Sequence, residues 1–176
     1  MFARPRATII SLVLECVANV SEGRDASAIG AMGDAVGPLL LDLHRDPDHN
    51  RSVFTIAGNP HATLTAVRRL ATAVASTLDL ATHDGVHPRL GALDVVPFVA
   101  LGDTAPIAAN AAARAFATWW GSAYRVPCFF YDEADEDRRG LPSLRRHAFV
   151  DRAPDRGPAP EGDECAAQAA GHSTPR

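Results

Sequence analysis

Two histidines four residues apart, His83 and His87, stand in the stretch ATHDGVHPRLGALDVVPF, residues 81 to 98. Such a pair suits three roles. On a helix, residues at this spacing share a face and can chelate a metal ion. On a rigid loop, one imidazole can act as a general acid and base, since its unperturbed pKa of about 6.5 lets it take and give a proton near neutrality. The third role is that of an ordinary loop histidine. The neighbours argue against a helical pair. Gly85 lowers helix propensity, and Pro88 pushes His87 out of the α region. Pro88 also pins His87 just ahead of an apolar run, a good place to hold an imidazole still.

A second cluster, DLHRDPDHNR, brings together Asp42, His44, Asp46, Asp48 and His49. Asp42 and His44 would share a strand face, and carboxylate with imidazole suits zinc, manganese or iron. The competing reading is a polar loop built on Asp-Pro turn chemistry. Asn50 and Arg51 follow, and Arg51 has the fork geometry to grip a carboxylate with two bonds. A third stretch, ANVSEGRD, offers backbone N–H groups and small polar side chains at the end of a strand. Asp94 lies within the apolar run GALDVVPF, so its carboxylate must be paired or point outward. Arg89 and His87 are the candidate partners.

The elements that would position these residues read as follows. LVLECVAN is a first strand. Asp25 caps a helix carrying Ile29, Met32 and Val36 at helical spacing, and Gly37-Pro38 ends it. LLLDLH is a second strand. RSVFTIA is a third, with Val53 and Phe54 on opposite faces. Asn59 caps and Pro60 opens a second helix, whose apolar stripe is Leu64, Val67, Leu70, Ala71, Val74 and Leu78. LGALDVVPFVA is a fourth strand that ends, bulges or lies at an edge at Pro97. A third helix runs from Pro106 through Trp119 and Trp120. RVPCFFY is a fifth strand, DEADEDRRG a solvated acidic loop, and PSLRRHAF a last helical turn or two.

The order βαββαβ, then αβ, is that of an α+β ferredoxin-like sandwich with an extra αβ unit. Its sheet is mostly antiparallel and its main helices lie on one face. Residues 1–150 form this domain. From Asp151 the composition shifts to Pro, Gly, Ala and charge, which marks 151–176 as a low-complexity, disordered tail.

Bulk composition agrees with a compact fold. The 176 residues, 47% hydrophobic and 22% charged with a net charge of −4, suit one domain. No basic run points to nucleic acid, and no stretch approaches the roughly 18 apolar residues of a membrane span. Three separated cysteines, Cys16, Cys128 and Cys165, match neither a disulfide framework nor a zinc spacing, which favours a reducing cytoplasm. Arg4 and Arg6 precede an apolar stretch, as in a secretory signal. That stretch is short and Glu15 closes it, so a first strand is the better reading.

Taken together, LECVANVSEGRD, LLLDLHRDPDHNRSVFTIAG and HDGVHPRLGALDVVPF, in this order and spacing, resemble glutamate formimidoyltransferase, and more narrowly its N-terminal subdomain. The match runs from about Leu14 to Phe149. The resemblance implies transfer of a formimino group between N-formimino-glutamate and tetrahydrofolate, the latter as co-substrate, in histidine breakdown. It also implies a two-subdomain fold, a homodimer and no metal. The histidine of the family's H-P-R-x-G-A-L-D motif, here His87, would be the catalytic acid and base. Arg89, Gly91 and Asp94 match the same motif, and Asn50 and Arg51 match an Asn-Arg pair on the cleft side. A later folate-contacting stretch beginning P-D-x-G-P is matched by Pro154, Asp155, Gly157 and Pro158, after which the chain departs. By the same resemblance a second subdomain is expected, from this chain or a separate one. A non-catalytic folate-binding or dimerisation module is the alternative.

Overall fold

The computed structural model describes residues 12–86 and 89–158. The first strand, β1 (Val13–Val20), buries every second residue. Leu14, Cys16, Ala18 and Val20 are fully buried, while the residues between them are only half-covered. This period of two is what a strand with one packed face requires. Helix α1 (Ala26–Val36) begins where Asp25 accepts hydrogen bonds from the N–H groups of Ser27 and Ala28, which satisfies two of the otherwise unpaired donors of its first turn.

Strands β2 (Leu40–Asp46) and β3 (Arg51–Gly58) form an antiparallel hairpin, with Asp46 opposite Arg51. Phe54 and Ile56 face the core, and Val53 turns to the opposite side, half-exposed. Helix α2 (Pro60–Thr77) has Asn59 as its cap, accepting from Ala62 N–H at 2.9 Å, and Pro60 in its first turn. Its stripe of Ala66, Val67, Leu70, Ala71 and Val74 is buried. Removal from water of a side chain the size of Val67 or Leu70 contributes about 1.5–3 kcal/mol.

The expected fourth strand is divided. β4 (Leu93–Val95) and β5 (Phe98–Leu101) both pair antiparallel with β1, at its end and at its start respectively. The break falls at Val96-Pro97, as proline's missing N–H demands. The sheet order is β2-β3-β1-β4, with β5 beside β4 along the same edge of β1. Helix α3 (Pro106–Tyr124) follows, and Phe116 and Trp120 join α1, α2 and the inner sheet face in a single core. The architecture is α+β with a mostly antiparallel five-stranded sheet, as the sequence indicates. No helix among the described residues is long and apolar enough to cross a membrane.

Two expectations change beyond α3. Arg125–Tyr131 is not a strand. Cys128 makes one isolated bridge with Arg156, and the segment pairs with no strand of the sheet. The acidic loop is not simply solvated either. Asp135 is buried. Its Oδ2 accepts from Arg139 Nε at 2.7 Å and from Arg139 N–H at 3.0 Å, and its Oδ1 accepts from Arg139 Nη2 at 2.9 Å. A short helix, α4 (Leu141–His147), then leads into the stretch that composition assigns to a tail. As far as Pro158, that stretch is fastened to the body. Arg152 donates to the Phe130 carbonyl at 3.0 Å and to Asp155 at 2.9 Å, and Asp155 accepts from Phe130 N–H at 2.7 Å. Residues 159–176, including Cys165, lie outside the described residues.

The Arg139 hydrogen bond holds the Asp135 carboxyl well below the usual carboxylate range, with Arg152 adding to it. A carboxyl depressed in the folded state contributes stability that is full above its unfolded value, about 3.9, and is lost as pH falls through its folded value. The thermal midpoint should therefore drop between about pH 4 and pH 2. Asp135→Asn should start lower and show a shallower drop over that interval, which a series of melts by circular dichroism would read.

Candidate functional site

The three chemistry-bearing stretches meet at one end of the sheet, and Asn50 joins them. Its side-chain Oδ1 accepts from Gly23 N–H at 2.8 Å, and its Nδ2 donates to the Asp84 carbonyl at 2.7 Å. Asn50 is buried and sits at a φ of 49°, a left-handed conformation that asparagine tolerates better than most residues. One amide thus ties the turn after β1, the start of β3 and the histidine loop to a common point. Asn50→Ala would strand a buried donor on Gly23 and an acceptor on Asp84, at a cost of about 2–4 kcal/mol. Urea unfolding of the variant measures this directly.

The neighbouring contacts follow the same pattern. Arg51 directs Nε and Nη2 to Asn19 Oδ1, at 3.1 and 2.6 Å. Both meet a side-chain amide on the adjacent strand. Ser21 donates from its N–H to the Ala92 carbonyl and from its hydroxyl to the Gly91 carbonyl, both at 2.8 Å. Arg89 reaches back to the His83 carbonyl at 2.8 Å. His83 Nε2 lies 3.2 Å from the Asn50 carbonyl oxygen. His87 and Pro88 lie outside the described residues, but Gly85 before them and Arg89 and Leu90 after them belong to this cluster.

Asp94 is paired inward. Its side chain is 3% exposed. Oδ1 accepts from Leu90 N–H at 2.7 Å, and Oδ2 accepts from Arg145 Nη2 at 2.6 Å. The sequence pointed to Arg89 or His87 as partner. The partner is instead an arginine of α4, and nothing in the local pattern of PSLRRHAF separates Arg145 from the exposed Arg146 beside it. Asp94 and Arg145 both exert their fields on Arg51 and on Tyr131, whose hydroxyl burial pushes up to about 12.

Behind this pair lies a cavity of about 320 Å³. Leu90, Gly91 and Asp94 form its rim, and Phe98, Phe116, Trp120, Phe129, Phe130 and Tyr131 contribute aromatic walls. Flat aromatic ligands stack on such walls. A broader depression of about 580 Å³ between α2 and α3, near Arg68 and Trp119, is shallow and touches none of the three stretches. Gly157, at a φ of 79°, packs against Val126-Pro127. Neither it nor Pro158 lines the cavity.

The acidic-histidine cluster behaves as a turn. Asp46 Oδ1 accepts from the N–H groups of Asp48 and His49, both at 3.0 Å, and Oδ2 contacts His49 Nδ1 at 2.7 Å. Asp42 and His44 are exposed on β2. Among the described residues, no group of three or more His, Cys, Asp or Glu side chains is placed to hold a metal ion.

Known proteins resemble this chain in sequence. The family model of the formiminotransferase domain, N-terminal subdomain, matches residues 13–173. A glutamate formimidoyltransferase of Thermoplasma acidophilum is 36% identical over 143 residues, covering 78% of this chain and 47% of the relative. One of Streptococcus pyogenes is 32% identical over 143 residues, covering 78% and 48%. A formimidoyltransferase-cyclodeaminase of Sus scrofa is 34% identical over 165 residues, covering 85% and 30%. The chain thus spans about half the length, or less, of the curated relatives it matches. With the three motifs drawn together by Asn50 and the family model matched along nearly the whole sequence, this chain belongs to the formiminotransferase family, by its N-terminal subdomain.

Proposed function

We propose that this chain supplies the catalytic half of a folate-dependent transferase, moving a formimino group between N-formimino-glutamate and the 5-nitrogen of tetrahydrofolate. His87 serves as general acid and base. The observation that carries the reading is the Asn50 side chain, which holds the Gly23 turn and the Asp84 loop on either side of it. The loop bearing His87 is thereby fixed at both ends, by Asn50 before it and by the Asp94 contact to Leu90 after it.

The chemistry follows from the groups that react. The folate nitrogen adds to the amidine carbon and gives a tetrahedral centre. That nitrogen must lose a proton, and the departing glutamate nitrogen must gain one. A single imidazole can carry the proton from the first to the second, worth about 10²–10⁴ in rate. Holding both substrates in contact supplies much of the remainder, up to about 7–11 kcal/mol for well-oriented partners. No step requires a metal. The aromatic cavity beside Asp94 suits the fused ring of the folate, with Asn50, Arg51 and Arg89 on the formimino-glutamate side. Gly157 supports the cavity from behind through its contact with Val126-Pro127, and Pro158 follows it in the sequence.

The coverage of the relatives favours a second reading: a non-catalytic folate-binding or dimerisation module that turns over only when a separate chain supplies a C-terminal subdomain. Calorimetric titration of the purified chain with folinate, beside an assay of formimino transfer, separates the two. Binding with turnover supports the transferase reading. Binding without turnover supports the module. Failure of both overturns both.

A further inference from the structure

The two ring nitrogens of His83 have unlike surroundings. Nε2 faces the Asn50 carbonyl oxygen at 3.2 Å. A carbonyl only accepts, so this contact places the proton on Nε2. The neutral ring then has a bare Nδ1, which is buried and has no hydrogen-bond partner among the described residues. A second proton would put an N–H there with nothing to receive it. It would also create a cation beside Arg89, whose Nη2 donates to the carbonyl of His83 itself at 2.8 Å.

Gly85 presses against the same ring. A Cβ on Gly85 would lie 3.2 Å from His83 Cε1, 2.8 Å from the His49 carbonyl oxygen and 2.9 Å from Asn50 Cβ. The imidazole is therefore a packed wedge between the loop and the β2–β3 turn. Besides Arg89, the charged groups facing it are Glu22, which favours protonation, and Arg24, which opposes it, both from the turn between β1 and α1.

We propose that His83 is a positioning residue: as the neutral Nε2–H imidazole it wedges residues 83–86 against Asn50, and gaining a proton loosens that contact. The Nε2–H contact itself survives protonation. What fails is the burial of Nδ1, whose new hydrogen must swing out to water. Burial, with Arg89 second, holds the ring's pKa below its ordinary 6.5, against a smaller opposing pull from the Asn50 carbonyl and Glu22. The packed ring thus binds the proton less readily than a free one. The packing of residues 83–86 on Asn50 is fully favoured above about pH 6.5 and weakens as pH falls through the packed-state value. Its consequence for catalysis rests on the transferase reading, since His87 is the next residue in the sequence.

Nuclear magnetic resonance on the whole 176-residue chain tests the proposal without substrate. Long-range proton–nitrogen spectra should show His83 as the Nε2–H tautomer, with a titration midpoint below 6.5. The Gly85 amide should shift with the same midpoint. In His83→Gln, which keeps an N–H at similar reach and does not titrate, the Gly85 shift should be flat with pH. An Nδ1–H tautomer, a midpoint at or above 6.5, or a Gly85 amide that still titrates in His83→Gln would overturn the proposal. The first two readouts use the wild-type protein, so they stand even where the variant folds poorly. Loss of folate binding would sink the transferase reading and leave these results untouched.

Discussion

Alanine at position 23 is expected to lower unfolding stability by about 3 kcal/mol or more, the upper end of what overpacking costs. Gly23 lies where the turn after β1 crosses the mouth of the β2–β3 hairpin. A Cβ there would run into the carbonyl oxygen of Asp46, and would stand 2.5 Å from Arg51 N and 2.9 Å from Arg51 O. All three are backbone atoms of paired strands, so no side chain can yield. Either the hairpin or the turn must move, and with it the Gly23 N–H bond to Asn50. Gly30 is the internal control. It lies within α1 and a Cβ there meets nothing within 4 Å, so Gly30→Ala should stabilise by about 0.5–1 kcal/mol. Urea unfolding of both variants provides the comparison. A Gly23→Ala protein within about 0.5 kcal/mol of wild type, the usual range of an inconsequential surface change, would refute the close approach.

The second large effect is on turnover. His87→Ala should reduce kcat for formimino transfer by about 10²–10⁴, the range that one positioned proton carrier supplies, while folinate affinity changes only a few-fold. Asp94→Asn offers a contrast. It keeps a shape close to the original and weakens the charged contact to Arg145, which loosens the Leu90 anchor. It should therefore act partly on stability, where His87→Ala should not. Rates and melting curves on both variants distinguish a chemical role from a structural one. A His87→Ala protein retaining more than a tenth of wild-type kcat would remove His87 from the mechanism.

The transferase reading proposed above places its own demand on the residues around His87. An imidazole that passes a proton between two nitrogens must keep its position through the tetrahedral stage. The described contacts on either side of His87 are all backbone or short side-chain bonds: Asn50 to Asp84, Ser21 to Gly91 and Ala92, and Asp94 to Leu90. They come from β4 and from the residues immediately after β1 and before β3, strands of one sheet, which is the kind of support that a site tolerant of little displacement requires.

What the sequence determined alone was decided over short distances along the chain. Asp25 and Asn59 cap because the N–H groups they satisfy lie two or three residues on. Pro60 opens its helix because its φ is already helical and its N–H is missing where none is needed. Pro97 interrupts the fourth strand because it cannot donate to β1. The motifs, read as a set, also marked the family. Tertiary structure decided whatever depended on which edges and which distant charges met. RVPCFFY has the composition of a strand, but the folded sheet does not take it up, and Cys128 bridges Arg156 instead. Asp94 chose Arg145, 51 residues away, over the nearer Arg89, because α4 folds back over the cavity. Asp135 left the solvated loop for a pocket made by Arg139 and Arg152. Local propensity acts within a helical turn or a strand's own period, whereas pairing of edges and burial of charge are settled only when the whole chain has packed.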